Sequence, residues 1–275
     1  MTMPHITFYK FSGTGNDFII IDNRKRIVEE KGLPDFVAKV CRRKMSVGAD
    51  GLILIENSDI ADFRWRFFNS DGSTAEMCGN GARCAARFAY MNGIAGTEMS
   101  FETLAGIISA RIIADQVKIK MTDPGDIRDY SIETENGSLS VSNINTGVPH
   151  AVIVTEDIDS AQVLRQGREI RFHKAFAPAG TNVNFVSRQS EGSIANRTYE
   201  RGVEDETLAC GTGCVAAAIV TAYKTGTLSP IRVLTGSGGY LTVHYEQEKG
   251  RFFNVYLEGD ARIIYKGELY EDAWQ

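Results

Sequence analysis

Two cysteines in this chain each begin a four-residue Cys-Gly-x-Gly sequence, CGNG at Cys78 and CGTG at Cys210. Such glycines allow tight turns and close approach of the backbone to a ligand, and the residues that follow favour a helix start. The backbone N–H groups and the dipole at a helix start favour a thiolate, which predicts a pKa below the roughly 8.5 of a free cysteine. The same N–H groups can hold a carboxylate and stabilise the charge that develops when a proton leaves the adjacent carbon.

The pairing of two such sequences indicates a specific chemistry. If both face one substrate carbon from opposite sides, one thiolate removes a proton while the other thiol donates one. The carbon is then inverted without any cofactor. This pattern predicts an amino-acid racemase or epimerase with Cys78 and Cys210 as catalytic residues.

Packing and metal binding are the other common roles of cysteines in such a chain. A single buried cysteine is commonly a packing residue, and we assign Cys41, Cys84 and Cys214 to the core because they follow helical apolar spacing. Packing explains a repeated four-residue sequence poorly. Zinc is disfavoured because the spacings do not match the usual close ligand pairs, so we expect no metal site. No complete P-loop or dinucleotide fingerprint is present either.

The elements that must position these cysteines are mostly strands. Alternating apolar residues predict short strands near 7–10, 63–68, 107–113, 117–121, 139–144 and 252–257. Helical patterns cover 34–43, 80–91 and 213–223, with Gly93 and Gly226 where two of these helices would stop. An α+β protein is therefore expected.

The chain contains an internal repeat around the two cysteines. Arg66–Asn69 and Arg197–Glu200 precede them at nearly the same offset, and Thr103–Gly106 and Thr235–Gly238 follow them. A weaker echo relates GTGNDFI at Gly13 to GTNVNFV at Gly180. We predict two similar halves, residues 1–123 completed by 264–275, and residues 124–263, with a hinge at 123–126 where proline and glycine interrupt a strand.

Composition and net charge indicate what kind of molecule this chain binds. The 275 residues are 43% hydrophobic, which supplies a core, and the net charge of −5 is unlike that of a nucleic-acid binder. No signal peptide or membrane span is recognised, so a cytoplasmic location with reduced thiols is expected. We therefore expect the chain to bind a small molecule, and neither nucleic acid nor a membrane. A homodimer is compatible with the sequence.

Motifs along the whole chain resemble those of diaminopimelate epimerase. They are GTGNDF at Gly13, GADG at Gly48, FNSDG at Phe68, CGNGARC at Cys78, GVPH at Gly147 and ERG at Glu200, which leads into LACGTG. The resemblance implies pyridoxal-independent interconversion of L,L- and meso-2,6-diaminopimelate, in lysine and peptidoglycan precursor synthesis. It also implies a fold of two pseudo-symmetric domains, each a mixed sheet wrapped around a central helix.

The resemblance also implies roles for particular residues. The catalytic cysteines fall on Cys78 and Cys210, and His150 matches a histidine near the reacting centre, although a lone histidine is as readily a hydrogen-bonded core residue. The implied substrate-binding residues are Asn16, Asn69, Gly79, Asn80, Asn182, Glu200, Arg201, Gly211 and Thr212.

Three positions depart from the family pattern. Val148 stands where many members have a substrate-binding asparagine, and Gly51 stands where some have a glutamine. The segment 202–207 is one residue longer and more acidic than the commoner pattern. The resemblance therefore predicts the chemistry at the two cysteines more closely than it predicts how the distal end of the substrate is bound. A proline or hydroxyproline racemase, an idle binding protein on this scaffold and a Cys210–His150 hydrolase remain alternatives.

Overall fold

A computed structural model describes residues 5–275, which form eighteen strands and four α-helices. The elements in chain order are β1 (His5–Gly13), β2 (Asn16–Asp22), α1 (Leu33–Val40), β3 (Gly51–Glu56), β4 (Phe63–Asn69), β5 (Thr74–Ala75), α2 (Gly79–Met91), β6 (Glu98–Thr103), β7 (Gly106–Ile113), β8 (Gln116–Lys120), β9 (Arg128–Thr134), β10 (Gly137–Asn145), β11 (Pro149–Val154), α3 (Val163–Arg171), β12 (Asn182–Ser190), β13 (Ser193–Glu200), β14 (Asp205–Thr207), α4 (Gly211–Thr225), β15 (Ile231–Leu234), β16 (Tyr240–Glu248), β17 (Arg251–Asp260) and β18 (Arg262–Tyr270). The α+β prediction is confirmed. No helix in this described range is long and apolar enough to cross a bilayer.

The chain forms two compact units. The first contains the described residues up to Ile119 together with Gly259–Gln275, and the second contains Lys120–Glu258. The predicted hinge at 123–126 lies in the irregular segment between β8 and β9, at the start of the second unit. The C-terminal strand β18 therefore belongs to the first unit.

The first unit is a mixed sheet around α2. Its strands pair in the order β18, β1, β2, β3, β4, β6, β7, β8, with β2–β3 and β4–β6 parallel and the other pairs antiparallel. The short strand β5 adds to β4. Helix α2 contacts β1, β2, β3 and β7, and fully buried alanines along it (Ala82, Ala85, Ala86 and Ala89) let the strands approach closely.

The second unit repeats this plan element by element. Its strands pair in the order β9, β10, β11, β12, β13, β15, β16, β17, with β11–β12 and β13–β15 parallel and the rest antiparallel. The short strand β14 adds to β13. Helix α4 occupies the place of α2 and contacts β10 to β13, β15 and β16. Each unit is therefore a mixed sheet wrapped around one central helix, as expected from the resemblance.

The repeat is topological, which corrects one detail of the sequence comparison. In the shared plan β1, β2 and β3 correspond to β10, β11 and β12, so the turn at Gly13–Asn16 corresponds to Asn145–Pro149. The segment at Gly180 leads into β12 and is not the counterpart of Gly13. The echo between GTGNDFI and GTNVNFV is therefore not part of the structural repeat.

Two helix predictions also differ from the structure. Helix α1 ends at Val40 and does not continue to Arg43, because the Cys41 N–H still bonds to the Val37 carbonyl at 2.9 Å but the Arg42 N–H bonds to the Lys39 carbonyl at 3.2 Å, in a tighter turn that closes the helix. Helix α3 was not predicted. Its strongly polar sequence buries only Val163, Gly167 and Ile170, and a Cβ at Gly167 would lie 2.5 Å from the Cβ of Tyr199. Gly167 weakens the helical pattern in the sequence, but only glycine allows α3 to pack against Tyr199 of β13.

Candidate active site

Cys78 lies at the N-terminus of α2, as predicted. It is the N-cap residue in an extended conformation, and its Sγ accepts a hydrogen bond from the Gly81 N–H at 3.5 Å. Its carbonyl accepts from the Ala82 N–H at 2.8 Å and so begins the helical ladder. The N–H groups of Gly79 and Asn80 are in the first turn, where a helix offers them no internal acceptor. This end of α2 can therefore present a thiol and backbone donors together.

A hydrogen-bonded series of side chains fixes two of the predicted binding residues beside Cys78. Arg83 Nη2 donates to Asn80 Oδ1 at 2.7 Å, and Asn80 Nδ2 donates to Asn16 Oδ1 at 2.7 Å. Asn16 Nδ2 in turn donates to Asp50 Oδ2 at 3.0 Å. Arginine only donates and a carboxylate only accepts, so both ends impose the same direction on the two amides.

Arg83, which is fully buried, also ties α2 to the turn between β1 and β2. Its Nη2 donates to Thr14 Oγ1 at 2.9 Å, and its Nε donates to the Asp260 carbonyl at 3.2 Å. The Asp260 carboxylate accepts from the Thr14 N–H and hydroxyl, at 3.1 and 2.8 Å. Thr14 has a φ of 47°, and these bonds hold it in that unfavourable region. Arg83 and Asp260 were not among the predicted site residues, although Arg83 lies inside the CGNGARC motif.

The carboxylates next to Asn16 are held by two cations. Lys10 Nζ lies 2.7 Å from Asp17, and Arg43 Nη2 lies 2.6 Å from Asp17 and 2.8 Å from Asp50. Burial of Asp17 opposes its ionisation, but hydrogen bonds from Arg43 and Lys10 outweigh that effect and lower the pKa of Asp17. The cluster therefore keeps Asp50 in place as the acceptor for Asn16.

Asn69 lies at the end of β4, paired with Gly51 at the start of β3. Its exposed side chain donates to Ser73 Oγ at 3.0 Å within the turn that follows β4. A Cβ at Gly51 would lie 2.6 Å from both the Phe67 ring and the Phe68 carbonyl. A side chain at position 51 would have to displace the Phe67 ring or the backbone of Phe68, so this position offers only its backbone.

Cys210 lies at the N-terminus of α4, in the same topological position as Cys78. It is the N-cap residue, its Sγ lies 3.5 Å from Thr212 Oγ1, and its carbonyl accepts from the Cys214 N–H at 2.9 Å. The Thr212 carbonyl accepts from Thr146 Oγ1 at 3.0 Å, which ties this turn to the end of β10. A Cβ at Gly211 would lie 3.1 Å from Leu257. Leu257 therefore packs against the first turn of α4.

The expectation of a lowered thiol pKa is wrong for Cys210. Burial raises the pKa of this thiol and the Glu200 carboxylate raises it further, while the Thr212 hydroxyl acts in the opposite direction. Desolvation of a thiolate in an apolar setting outweighs the hydrogen bonds from the Thr212 hydroxyl and the Gly213 N–H, which lower the pKa. Cys210 is therefore a neutral thiol in this structure and is suited to donating a proton.

Three predicted binding residues of the second unit meet at the strand ends beside Cys210. Asn182, at the start of β12, donates to the Pro149 carbonyl at 3.1 Å and accepts from the Arg201 N–H at 2.8 Å. Arg201 Nη1 donates to the Ala179 carbonyl at 3.3 Å. Burial raises the pKa of Glu200, which ends β13. Asn182 thereby fixes the backbone that carries Glu200 and Arg201.

His150 begins the parallel pairing of β11 with β12 opposite Asn182 and is fully buried. Its Nδ1 lies 2.9 Å from Asn184 Nδ2. Burial, with a smaller effect of the Arg201 charge, lowers the pKa of His150 to about 3. A neutral imidazole follows. Val148 contributes only its carbonyl, which accepts from the Thr146 N–H at 3.1 Å.

The three remaining cysteines are core residues, as predicted. Cys41, Cys84 and Cys214 are buried free thiols, and burial raises the pKa of Cys41 to about 12. Between residues 5 and 275, no group of three or more histidine, cysteine or acidic side chains is arranged to hold a metal ion.

A cleft of about 800 Å³ in the first unit is lined by none of the predicted site residues. Two of its arginines are already paired: Arg66 bonds to Glu30, and Arg24 lies 2.8 Å from Asp22. It is separate from the chemistry described above.

Solved structures with this fold define the class of protein. A *Bacillus anthracis* phenazine biosynthesis protein of the PhzF family aligns over 97% of this chain and 99% of its own, with a TM-score of 0.74 and 17% identity. A probable proline racemase from *Agrobacterium radiobacter* K84 aligns over 97% and 93%, with a TM-score of 0.69 and 15% identity. This chain therefore shares its fold with both structures over nearly its whole length.

Sequence comparison then identifies the family. The family model for diaminopimelate epimerase matches residues 8–127 and 142–264. The curated diaminopimelate epimerase of *Aquifex aeolicus* is 48% identical over 278 residues, which cover 97% of this chain and 98% of that protein. This chain belongs to the diaminopimelate epimerase family.

Proposed function

We propose that this protein interconverts L,L- and meso-2,6-diaminopimelate, with Cys78 and Cys210 as its acid/base pair and no cofactor. The observation that carries the proposal is the repeat itself: in both units a cysteine caps the start of the central buried helix. Family membership supports the substrate, because the curated relatives that match nearly the whole chain bear the name diaminopimelate epimerase.

The proposed reaction is a proton exchange at one carbon. One cysteine, as the thiolate, removes the α-proton, and the other, as the thiol, delivers a proton to the opposite face. The backbone N–H groups of Gly79, Asn80, Gly211 and Thr212 hold the α-carboxylate and stabilise the negative charge that develops on it. The neutral, buried Cys210 supports the role of proton donor. The half-exposed Cys78, capped by a backbone N–H, supports the role of base.

The proposed specificity resides in polar side chains that hold the distal amino-acid end of the substrate. Asn16 and Asn69 contribute from the first unit, and Asn182, Glu200 and Arg201 from the second. Arg201 suits a carboxylate through its bidentate guanidinium, and Glu200 suits an ammonium. The alternative of a proline or hydroxyproline racemase is supported only by structures of 15–16% identity, which establish the fold alone.

We further propose that the enzyme acts in the cytoplasm, in lysine and peptidoglycan precursor synthesis, as a homodimer. Its partner is the amino-acid substrate, without nucleic acid or membrane, which agrees with the net charge of −5. Sedimentation equilibrium of the purified chain tests the oligomeric state, and a single species at the monomer mass contradicts the dimer.

The decisive experiment follows deuterium entering substrate from heavy water. We expect the wild-type protein to label Cα of diaminopimelate, and neither proline nor glutamate. Cys78→Ala and Cys210→Ala should each lose at least about 10²- to 10⁴-fold in turnover while keeping the circular dichroism spectrum of the wild type. Cys41→Ala, which alters a core thiol, is the matched control and should remain active. Substantial turnover by either catalytic variant, or labelling of proline instead, contradicts the proposal.

A further inference from the structure

A chain of hydrogen bonds beneath the start of α4 connects His150 to side chains that sequence analysis did not select. Asn184 Nδ2 lies 2.9 Å from His150 Nδ1, and Asn184 Oδ1 accepts from Thr198 Oγ1 at 2.9 Å. Thr198 Oγ1 in turn accepts from Asn196 Nδ2 at 3.2 Å. All four residues are at least nine-tenths buried. This set, Asn196–Thr198–Asn184–His150, is called the imidazole relay below.

The direction of the imidazole relay is set by the Ala151 carbonyl, and the contacts of Asn196 agree with it. The Asn184 nitrogen also lies 3.4 Å from the Ala151 carbonyl, which can only accept, so the amide nitrogen must face that side. At the other end, Asn196 Nδ2 can only donate to Thr198. The single hydroxyl hydrogen of Thr198 is then used toward Asn184 Oδ1, which again leaves the Asn184 nitrogen for the imidazole.

The consequence concerns which imidazole nitrogen carries the proton. Because Asn184 donates to His150 Nδ1, that nitrogen must be the acceptor, and the hydrogen of the neutral ring lies on Nε2. His150 Nε2 is buried and has no hydrogen-bond partner among the side chains and backbone of the described residues. A buried donor left unpaired in this way is unusual in a folded protein, and an acceptor supplied by a ligand would satisfy it.

We propose that Asn184 is a positioning residue that holds His150 as the Nε2–H tautomer, and that His150 is a neutral hydrogen-bond donor to a carboxylate oxygen of the substrate. This proposal rests on the proposed function for the identity of the substrate. Burial keeps the pKa of His150 near 3, so the ring stays neutral across the working range of the enzyme. Arg201 lies close enough for its charge to lower the pKa of His150, and the same positive charge attracts an anionic acceptor. His150 is then neither the base of a hydrolase nor a proton shuttle.

The tautomer can be observed directly without any assay of activity. The chain has four histidines, so long-range ¹H–¹⁵N spectra of the ¹⁵N-histidine-labelled protein contain few signals, and His150→Gln identifies those of His150. We expect a protonated Nε2 and an unprotonated Nδ1 at neutral pH. A protonated Nδ1, or a doubly protonated ring, overturns the proposal.

The role of Asn184 is tested by Asn184→Leu, which keeps the size of the side chain and removes both polar atoms. Without the donor, the ring exchanges between its two tautomers, so both ¹⁵N shifts should move to intermediate values. Unchanged shifts in a folded variant overturn the positioning role. If this variant does not fold, the wild-type spectrum still decides the tautomer.

The role of the Nε2–H group is tested by a pair of variants at one position. His150→Gln retains a neutral N–H donor and His150→Leu does not, so the leucine variant should have a kcat/KM lower by a further factor of about ten or more. His173→Gln alters a half-buried histidine at the start of a short 3₁₀ helix, outside the predicted site residues; it is the control and should match the wild type. Equal losses for glutamine and leucine overturn the donor role. A wild-type protein with the Nε2–H tautomer but no turnover of diaminopimelate rejects the proposed function and the carboxylate acceptor, but not the tautomer.

Discussion

Gly213, the second glycine of the CGTG sequence, sits against the imidazole relay. A Cβ at this position would lie 2.4 Å from Asn184 Oδ1, 3.2 Å from Thr198 Oγ1 and 3.3 Å from the Cβ of Cys210. Asn184 and Thr198 are buried and bonded to each other, so neither can withdraw without losing a hydrogen bond. Gly213→Ala should therefore damage the relay and the start of α4 together.

The size of the effect follows from three contributions. Alanine favours a helix over glycine by about 1 kcal/mol. Overpacking a close-packed interior costs about 1–3 kcal/mol, and a buried hydrogen bond left unmade costs about 1–3 kcal/mol more. The net expectation is a loss of about 3 kcal/mol in the free energy of unfolding, with a fall in epimerisation.

Gly81 provides the matched control because it is the corresponding glycine of the CGNG sequence. A Cβ there meets only carbon atoms of Trp65, Ile53 and Phe18 at 3.3–3.5 Å. Its mild crowding offsets the helical gain, so Gly81→Ala should stay within about 1 kcal/mol of the wild type.

Urea unfolding followed by circular dichroism measures both variants, with the slope of the transition checked for a change in mechanism. The reasoning is refuted if Gly213→Ala is as stable as the wild type, or if the two alanine variants lose the same stability.

Two further predictions concern charge and thiol reactivity in the first unit. The lowered pKa of Asp17 contributes stability that is present above the usual value of 3.8 and is lost as the pH falls below it. Asp17→Asn should therefore lower the free energy of unfolding by about 1–3 kcal/mol at neutral pH and leave it unchanged at strongly acidic pH. Unfolding measured at a series of pH values checks this, and a difference between the two proteins that does not change with pH would contradict it. All five cysteines lie in the described range, and all except Cys78 are buried. Iodoacetamide should therefore modify Cys78 first. Peptide mapping that finds Cys41 modified before Cys78 would contradict this prediction.

The cysteine positions could be predicted because they depend on local sequence. A glycine-rich turn, small residues and a helix start are all encoded within a few residues of Cys78 or Cys210. The repeat then predicted two similar halves, since two similar segments imply two similar units, whereas the mixed sheet around a central helix was implied by the resemblance. Helix α3 escaped prediction because its apolar stripe is narrow and contains Gly167, whose necessity depends on Tyr199, a residue distant in sequence.

The pKa of Cys210 and the relay beneath it could not be predicted in the same way. The helix start that favours a thiolate is local, but the burial that opposes it arises from packing of the whole unit. Asn184 and His150 are 34 residues apart and become neighbours only through the register of β11 with β12. The alignment of strands, rather than any motif, brings such buried polar partners together.

The pairing of β1 with β18 bears on how the chain folds as it is synthesised. His5 lies opposite Tyr270, so the sheet of the first unit acquires its edge strand only after translation has passed Tyr270. The second unit is continuous from Lys120 to Glu258 and already has all its strands when the ribosome has moved a short way beyond it. The half of the protein that is made first is thus the half completed last, and until then β1 exposes an unpaired edge to nascent-chain chaperones.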